Sequence, residues 1–232
     1  MRLVKIATIV ALFYVHSFAL RYVLPSDATF GIYESRREWL TVHVLTGIFA
    51  IFIGPVQFWL ASNANYRTWH RVMGVTYLMS VALSSGSAIY LARHTDFGWV
   101  FSTGMMALAF AWIATTGLAV VAISQAVIPQ HKEWMVRSYV VTLSFVFFEA
   151  TLQILDFAKV GTTAERMVVA SWVSWSVPLL ITELFLQGRK MLGAKRAPAR
   201  LSIVAEMSDS GLRVADVDST SALSNPPSDI SA

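Results

Sequence analysis

The chain has 232 residues, 56% of them hydrophobic and 14% charged, with a formal net charge of +4 and a mean hydropathy of +0.58. That is too apolar for a soluble domain of ordinary composition. Its basic residues sit mainly in loops beside apolar runs, where anionic lipid headgroups account for them and no nucleic acid is expected. The absence of cysteine excludes disulfides, thiolate zinc sites, iron–sulfur clusters and haem attached through C-x-x-C-H.

A bilayer core of roughly 30 Å takes about 20 apolar residues per helix. Stretches 3–23, 39–61, 71–92, 98–124, 133–156 and 167–187 approach that length. They predict an all-α integral membrane bundle of about six transmembrane helices over residues 1–192, with sequential helices as antiparallel neighbours because their connections are short. After it, K-R-A-P-A-R and a tail containing Ser, Asp, Pro and Asn predict a disordered cytoplasmic segment over 193–232. The first stretch, led by Arg2 and Lys5, also resembles a secretory signal, but no small-x-small cleavage site follows, which favours a retained helix. Arg189, Lys190, Lys195, Arg196 and Arg200 place the C-terminus in the cytoplasm, and an even helix count brings the N-terminus there too. The expected location is the cell membrane. Arg36 and Arg37 oppose this orientation, although Glu34 and Glu38 are interleaved with them.

Under that topology His70 and His131 share the cytoplasmic interface with Trp69 and Trp134. His43 and His16 lie about one and two turns inside the opposite face, and His94 falls in an outer loop. Helical phase aligns His43, Gly47, Ala50, Gly54 and Gln57 in a nearly all-small stripe, which permits close helix packing or leaves space for a flat cofactor. His70, Gly74, Tyr77, Val81, Ser85 and Ala88 repeat the theme. His131, Ser138, Thr142 and Glu149 line up as a polar seam. Thr115 and Thr116 are expected to satisfy their own backbone. Arg137 has Glu133 four residues before it and Glu183 at similar depth. An intramembrane carboxylate such as Glu149 costs at least roughly 2.5 kcal/mol if charged, so it should be protonated, paired or facing a wet cavity. Common catalytic signatures are missing, among them H-E-x-x-H, G-x-S-x-G and the phosphate-binding loop. Whether the protein is an enzyme stays open. The scattered methionines read as packing residues.

The order of His43, G-P-V-Q-F (54–58), H-R-V-M-G-V-T-Y (70–77) and H-K-E-W-M-V-R-S-Y (131–139) resembles the uncharacterised membrane family called domain of unknown function 2306, over about residues 40–157. The resemblance implies that His43, Gln57, His70, Arg71, Gly74, His131, Trp134, Met135, Arg137 and Ser138 are recurring family positions. It also implies a departure at Glu149, where the family carries a basic residue. It implies no activity.

Two functional classes follow from the residues. The leading expectation is b-type haem binding and membrane electron transfer. His70 and His131 are then the candidate iron ligands, His43 with His16 a candidate second pair, Arg137 and Arg71 contact the cofactor, and a quinone or electron-transfer protein is the partner. The fourth apolar stretch carries no histidine, unlike di-haem transmembrane cytochromes of similar layout. The alternative is a non-enzymatic protein that binds or transports an anionic ligand or lipid through Arg67, His70, Arg71, His131, Lys132 and Arg137, with Glu149 and His43 as a deeper proton-linked pair. A scaffold role without ligand is the third reading.

Overall fold

The structure, a computed structural model, describes residues 31–221 together with Ile9, Phe13 and Ser17, and over 31–33, at 64 and over 194–221 it describes the backbone alone. Apart from Ile9, Phe13 and Ser17, the expected first helix, with His16 in it, and residues 222–232 of the tail lie outside the described residues. A 3-10 turn, Gly31–Arg36, leads into α1 (Arg37–Ala61). There follow a 3-10 turn at Ala64–Tyr66, α2 (Arg67–Arg93), α3 (Gly98–Ser124), α4 (Ile128–Thr142), α5 (Ser144–Phe157) and α6 (Thr163–Ser221). Among the described residues there is no strand. Glu34–Ala61, Arg67–Arg93, Gly98–Ser124 and Thr163–Gly193 are each long and apolar enough to cross a membrane, and the bent pair α4–α5 adds a fifth where its two halves are counted as one span.

Residues Met1–Glu183 form one compact unit and Leu184–Ala232 another. In the first, α1 packs on α2, α2 on α3 and α3 on α4, as short connections between antiparallel helices require. Their shared core contains Ala50, Ile53, Tyr77, Val81, Leu108, Trp112 and Val141. Large apolar side chains also point outward, including Phe49, Val75, Met79, Phe110 and Leu180, each at least half exposed. Helices apolar on both faces have no solvated side and suit a lipid surround. In the second unit, the Arg189 guanidinium covers the Phe185 ring at 5.7 Å.

Local sequence accounts for the joints. Thr162 and Glu165 form a reciprocal cap before α6: Thr162 N–H donates to Glu165 Oε2 at 2.7 Å, and Glu165 N–H to Thr162 Oγ1 at 3.4 Å. Pro129 occupies the first turn of α4, where its missing N–H costs nothing. Pro55 lies inside α1 and deprives the Ile51 carbonyl of its usual donor. The Tyr139 hydroxyl replaces that donor at 3.2 Å. Gly54 makes the replacement possible, because any Cβ there would collide with the Tyr139 ring.

The expected uninterrupted helix over 133–156 is corrected. Its two halves, α4 and α5, meet at an angle of 41° around Leu143. No proline marks the break. The Thr142 hydroxyl donates back to the Ser138 carbonyl at 2.9 Å and is held from outside by α2 and α3, a pattern that bends helices. The polar seam therefore does not run straight: Ser138 and Thr142 face the core, while Glu149 belongs to a separate helix.

Candidate functional site

One cavity of about 390 Å³ opens in the half of the bundle nearest the 94–97 connection, between α1, α2, α3, α5 and the start of α6. Phe101, Met105, Trp112, Phe145 and Phe148 supply much of its wall, and His43, Glu149 and Thr95 are its polar members. The volume is within the range of small-molecule sites, which typically combine an apolar lining with a few polar groups. Ser144 is the buried residue of α5, so this helix stands off the bundle and contacts it across the cavity through side chains. Its far end is tied to α6 by the Asp156–Arg166 ion pair.

His43 is 8% exposed and its Nδ1 lies 3.0 Å from the Ser84 carbonyl oxygen. A carbonyl only accepts, so Nδ1 carries the proton and Nε2 holds the lone pair. The Ser84 hydroxyl returns a bond to the His43 carbonyl at 3.1 Å, and Phe145 meets the ring edge-on at 4.9 Å. Glu149 is half-buried, and its only described side-chain partner is Gln153 Nε2 at 3.4 Å. The deeper pair His43 and Glu149, named from sequence, thus shares one cavity.

Beneath the cavity lies a closed polar network. Thr116 Oγ1 is 2.7 Å from Ser138 Oγ, which is 2.8 Å from the Tyr77 hydroxyl, itself 2.8 Å from Thr142 Oγ1. Trp112 Nε1 also donates to Thr142 Oγ1 at 3.0 Å. Because Thr142 gives its own hydrogen to the Ser138 carbonyl, Tyr77 donates to Thr142, Ser138 to Tyr77 and Thr116 to Ser138. Every hydroxyl is satisfied, which makes the network a lock between α2, α3 and α4. Here the expectation for Thr116 is corrected. Thr115 does bond the Ala111 carbonyl of its own helix, at 2.8 Å, but Thr116 crosses to α4. Sequence reasoning also missed Trp112, since an indole within an apolar run carries no sign of its partner.

Arg137 is 6% exposed and uses its guanidinium on both carboxylates named from sequence. Nε donates to Glu183 Oε2 at 2.8 Å, NH1 lies 3.7 Å from Glu133 Oε2, and the group stacks 4.6 Å from the centre of the Trp134 ring. Arg71 is exposed, whereas His70 and His131 are half-buried in the first turns of α2 and α4. His94 is exposed, with Nδ1 2.8 Å from the Tyr90 carbonyl.

In the cavity the described residues supply one imidazole, His43, opposite Glu149; its expected partner His16 lies outside the described residues. Arg137, the expected cofactor contact beside His70 and His131, is engaged by Glu133 and Glu183. The small stripe on α1 divides between its two readings: Ala50 and Gly54 serve packing, while Gly47 lines the cavity.

The motifs that carried the family resemblance prove to interlock. Gly54 and Pro55 receive Tyr139, Gln57 reaches the His70 carbonyl at 2.9 Å, and Ser138 holds Tyr77. No curated protein and no solved structure matches the chain. The family described as "Predicted membrane protein (DUF2306)" matches residues 40–186, through the bundle and into α6. The chain belongs to that membrane-protein family.

Proposed function

We propose that this protein binds a lipid-soluble molecule with an apolar body and a hydroxyl at its polar end, of the quinol or phenol class, in the His43–Glu149 cavity. The observation that carries the reading is the His43 tautomer. With Nδ1–H committed to the Ser84 carbonyl, Nε2 presents a lone pair to a mostly apolar, aromatic-walled space. Such an acceptor selects a ligand that donates, and the phenyl walls suit a ring. Glu149 offers a second polar contact on the opposing helix. Binding or carriage, rather than bond-making chemistry, is the role this arrangement supports.

The test uses full-length protein in lipid nanodiscs with a photoreactive quinol-class probe and its O-methyl analogue. Crosslinks to peptides from α1 and α5 are expected. Labelling should fall roughly five- to hundredfold for His43→Leu, the effect of losing one buried hydrogen bond worth about 1–3 kcal/mol. The O-methyl probe should be weak on both proteins. Equal labelling of the wild type by both probes would sink the proposal.

A further inference from the structure

The opposite end of the bundle brings together three side-chain atoms that have no hydrogen-bond partner among the described residues. Gln57 is 4% exposed, and its Nε2 donates to the His70 carbonyl at 2.9 Å. Because a carbonyl accepts only, this bond fixes the amide orientation. It leaves Oε1, an acceptor, enclosed without a partner. Nδ1 of His70 is likewise enclosed without a partner. The third group is His131, whose Nδ1 lies 2.8 Å from the Ala119 carbonyl. Nδ1 must therefore carry the hydrogen, and Nε2 the lone pair. Tyr77 and Ser138, each two turns beyond His70 and His131 on the same helix face, touch at 2.8 Å, which sets the two rings on facing sides of α2 and α4. Gly74, one turn beyond His70, keeps room for the Gln57 side chain: a Cβ there would stand 3.0 Å from its Nε2.

We infer that Gln57 Oε1, His70 Nδ1 and His131 Nε2 bind a divalent first-row transition ion between α1, α2 and α4. An enclosed acceptor without a donor is costly in a protein interior, and a cation satisfies several at once. Two imidazoles and one amide oxygen are borderline donors, suited to zinc, cobalt, nickel or copper rather than to calcium or magnesium, which take oxygen ligands. The His131 ring is held as metal-ligating imidazoles generally are, with its second nitrogen donating to a main-chain carbonyl. The positive ends of α2 and α4 oppose a cation, but that effect is small beside direct coordination. Arg67, Arg71 and Lys132 are exposed on the same helix ends, and they favour an anion as the ligand that completes the shell. The site is independent of the cavity.

The experiment uses the full chain, purified through a histidine-free tag, stripped with chelator and titrated with Co²⁺ alone. Saturable uptake of one ion per chain, with visible ligand-field absorption, is expected. His70→Ala and His131→Ala should each weaken it at least tenfold, and His94→Ala should leave it unchanged. Gln57→Glu, which places a carboxylate where the amide oxygen stands, should tighten binding tenfold or more, a gain that a misfolded variant does not produce. No saturable uptake, undiminished affinity in either histidine variant, or unchanged affinity in Gln57→Glu overturns the inference.

Discussion

The His43 imidazole on α1 is held by the main-chain carbonyl of Ser84 on α2, 3.0 Å from Nδ1. Since the anchor is backbone, it survives changes at residue 84. Ser84→Ala should therefore remove the hydroxyl bond to the His43 carbonyl and the hydroxyl's 3.0 Å contact with His43 Nδ1 but keep the carbonyl anchor, at a stability cost of about 0.5–1.5 kcal/mol. Probe affinity should stay within roughly threefold of wild type, because a conserved ring orientation leaves the Nε2 acceptor unchanged. A loss as large as that of His43→Leu in the same nanodisc assay would mean that the hydroxyl, not the carbonyl, sets the tautomer.

Gly54 on α1 packs directly against the Tyr139 ring of α4. A methyl group at residue 54 would overlap the tyrosine ring, so Gly54→Ala should destabilise the protein by about 1–3 kcal/mol through overpacking. Gly86 and Gly117 provide the contrast, because a Cβ at either meets nothing within 4 Å. Alanine at those positions should be neutral or stabilising by up to about 1 kcal/mol. Thermal unfolding in one detergent checks all three, and equal melting temperatures would refute the contact.

The α1–α3 helices were legible because length and hydropathy alone define a span, and their observed ends fall within a few residues of those expected. The break at Leu143 was not. V-V-T-L-S reads as uninterrupted helix, and the bend depends on Tyr77 and Trp112, distant in sequence, gripping Thr142. Thr115 and Thr116 show the same limit: adjacent and chemically identical, one bonds its own helix and the other a neighbour, which only packing decides. The carboxylates around Arg137 were readable because one is four residues away and the other at equal depth. Convergence of His43 and Glu149 on a cavity was partly readable from depth, but the aromatic wall between them was not.

Tyr77 is the hub of the buried hydroxyl network, with partners on both sides at 2.8 Å. Tyr77→Phe keeps the ring but leaves Ser138 without an acceptor and Thr142 with one donor fewer, a loss of about 1–3 kcal/mol. Thr116→Val should cost less, because Ser138 still donates to Tyr77. A double-mutant cycle between positions 77 and 116 measures the coupling, and strict additivity would mean that the chain of bonds does not act as a unit.

A full crossing by α2, which its length and hydropathy allow, requires residues 62–66 and 94–97 to lie on opposite membrane faces. Cysteines introduced as Asn63→Cys and Asp96→Cys should therefore react from opposite sides with an impermeant thiol reagent, each in one vesicle orientation only. The Lys and Arg distribution favours the cytoplasmic side for residue 63. Labelling of both from the same side would exclude α2 as a full crossing.

Arg137 carries the last prediction. Its side chain is 7% exposed, while those of Glu133 and Glu183 are 24% and 40% exposed, so the cation is the enclosed member of the cluster. Arg137→Leu would remove the Arg137 ion pairs of both carboxylates, and the carboxylates' partial solvent access limits the cost to about 1–3 kcal/mol. Adding Glu183→Gln to that variant should recover part of the loss, which distinguishes exposed repulsion from a simple packing defect. Arg137→Lys should fall between leucine and wild type, because lysine keeps the charge but loses the planar fork and the stacking on Trp134. None of the three variants should alter probe binding in the cavity, since Arg137 is not among its lining residues. Unfolding midpoints and nanodisc labelling measured on the same preparations separate the two effects. A leucine variant as stable as wild type would show that the cluster contributes nothing net to folding.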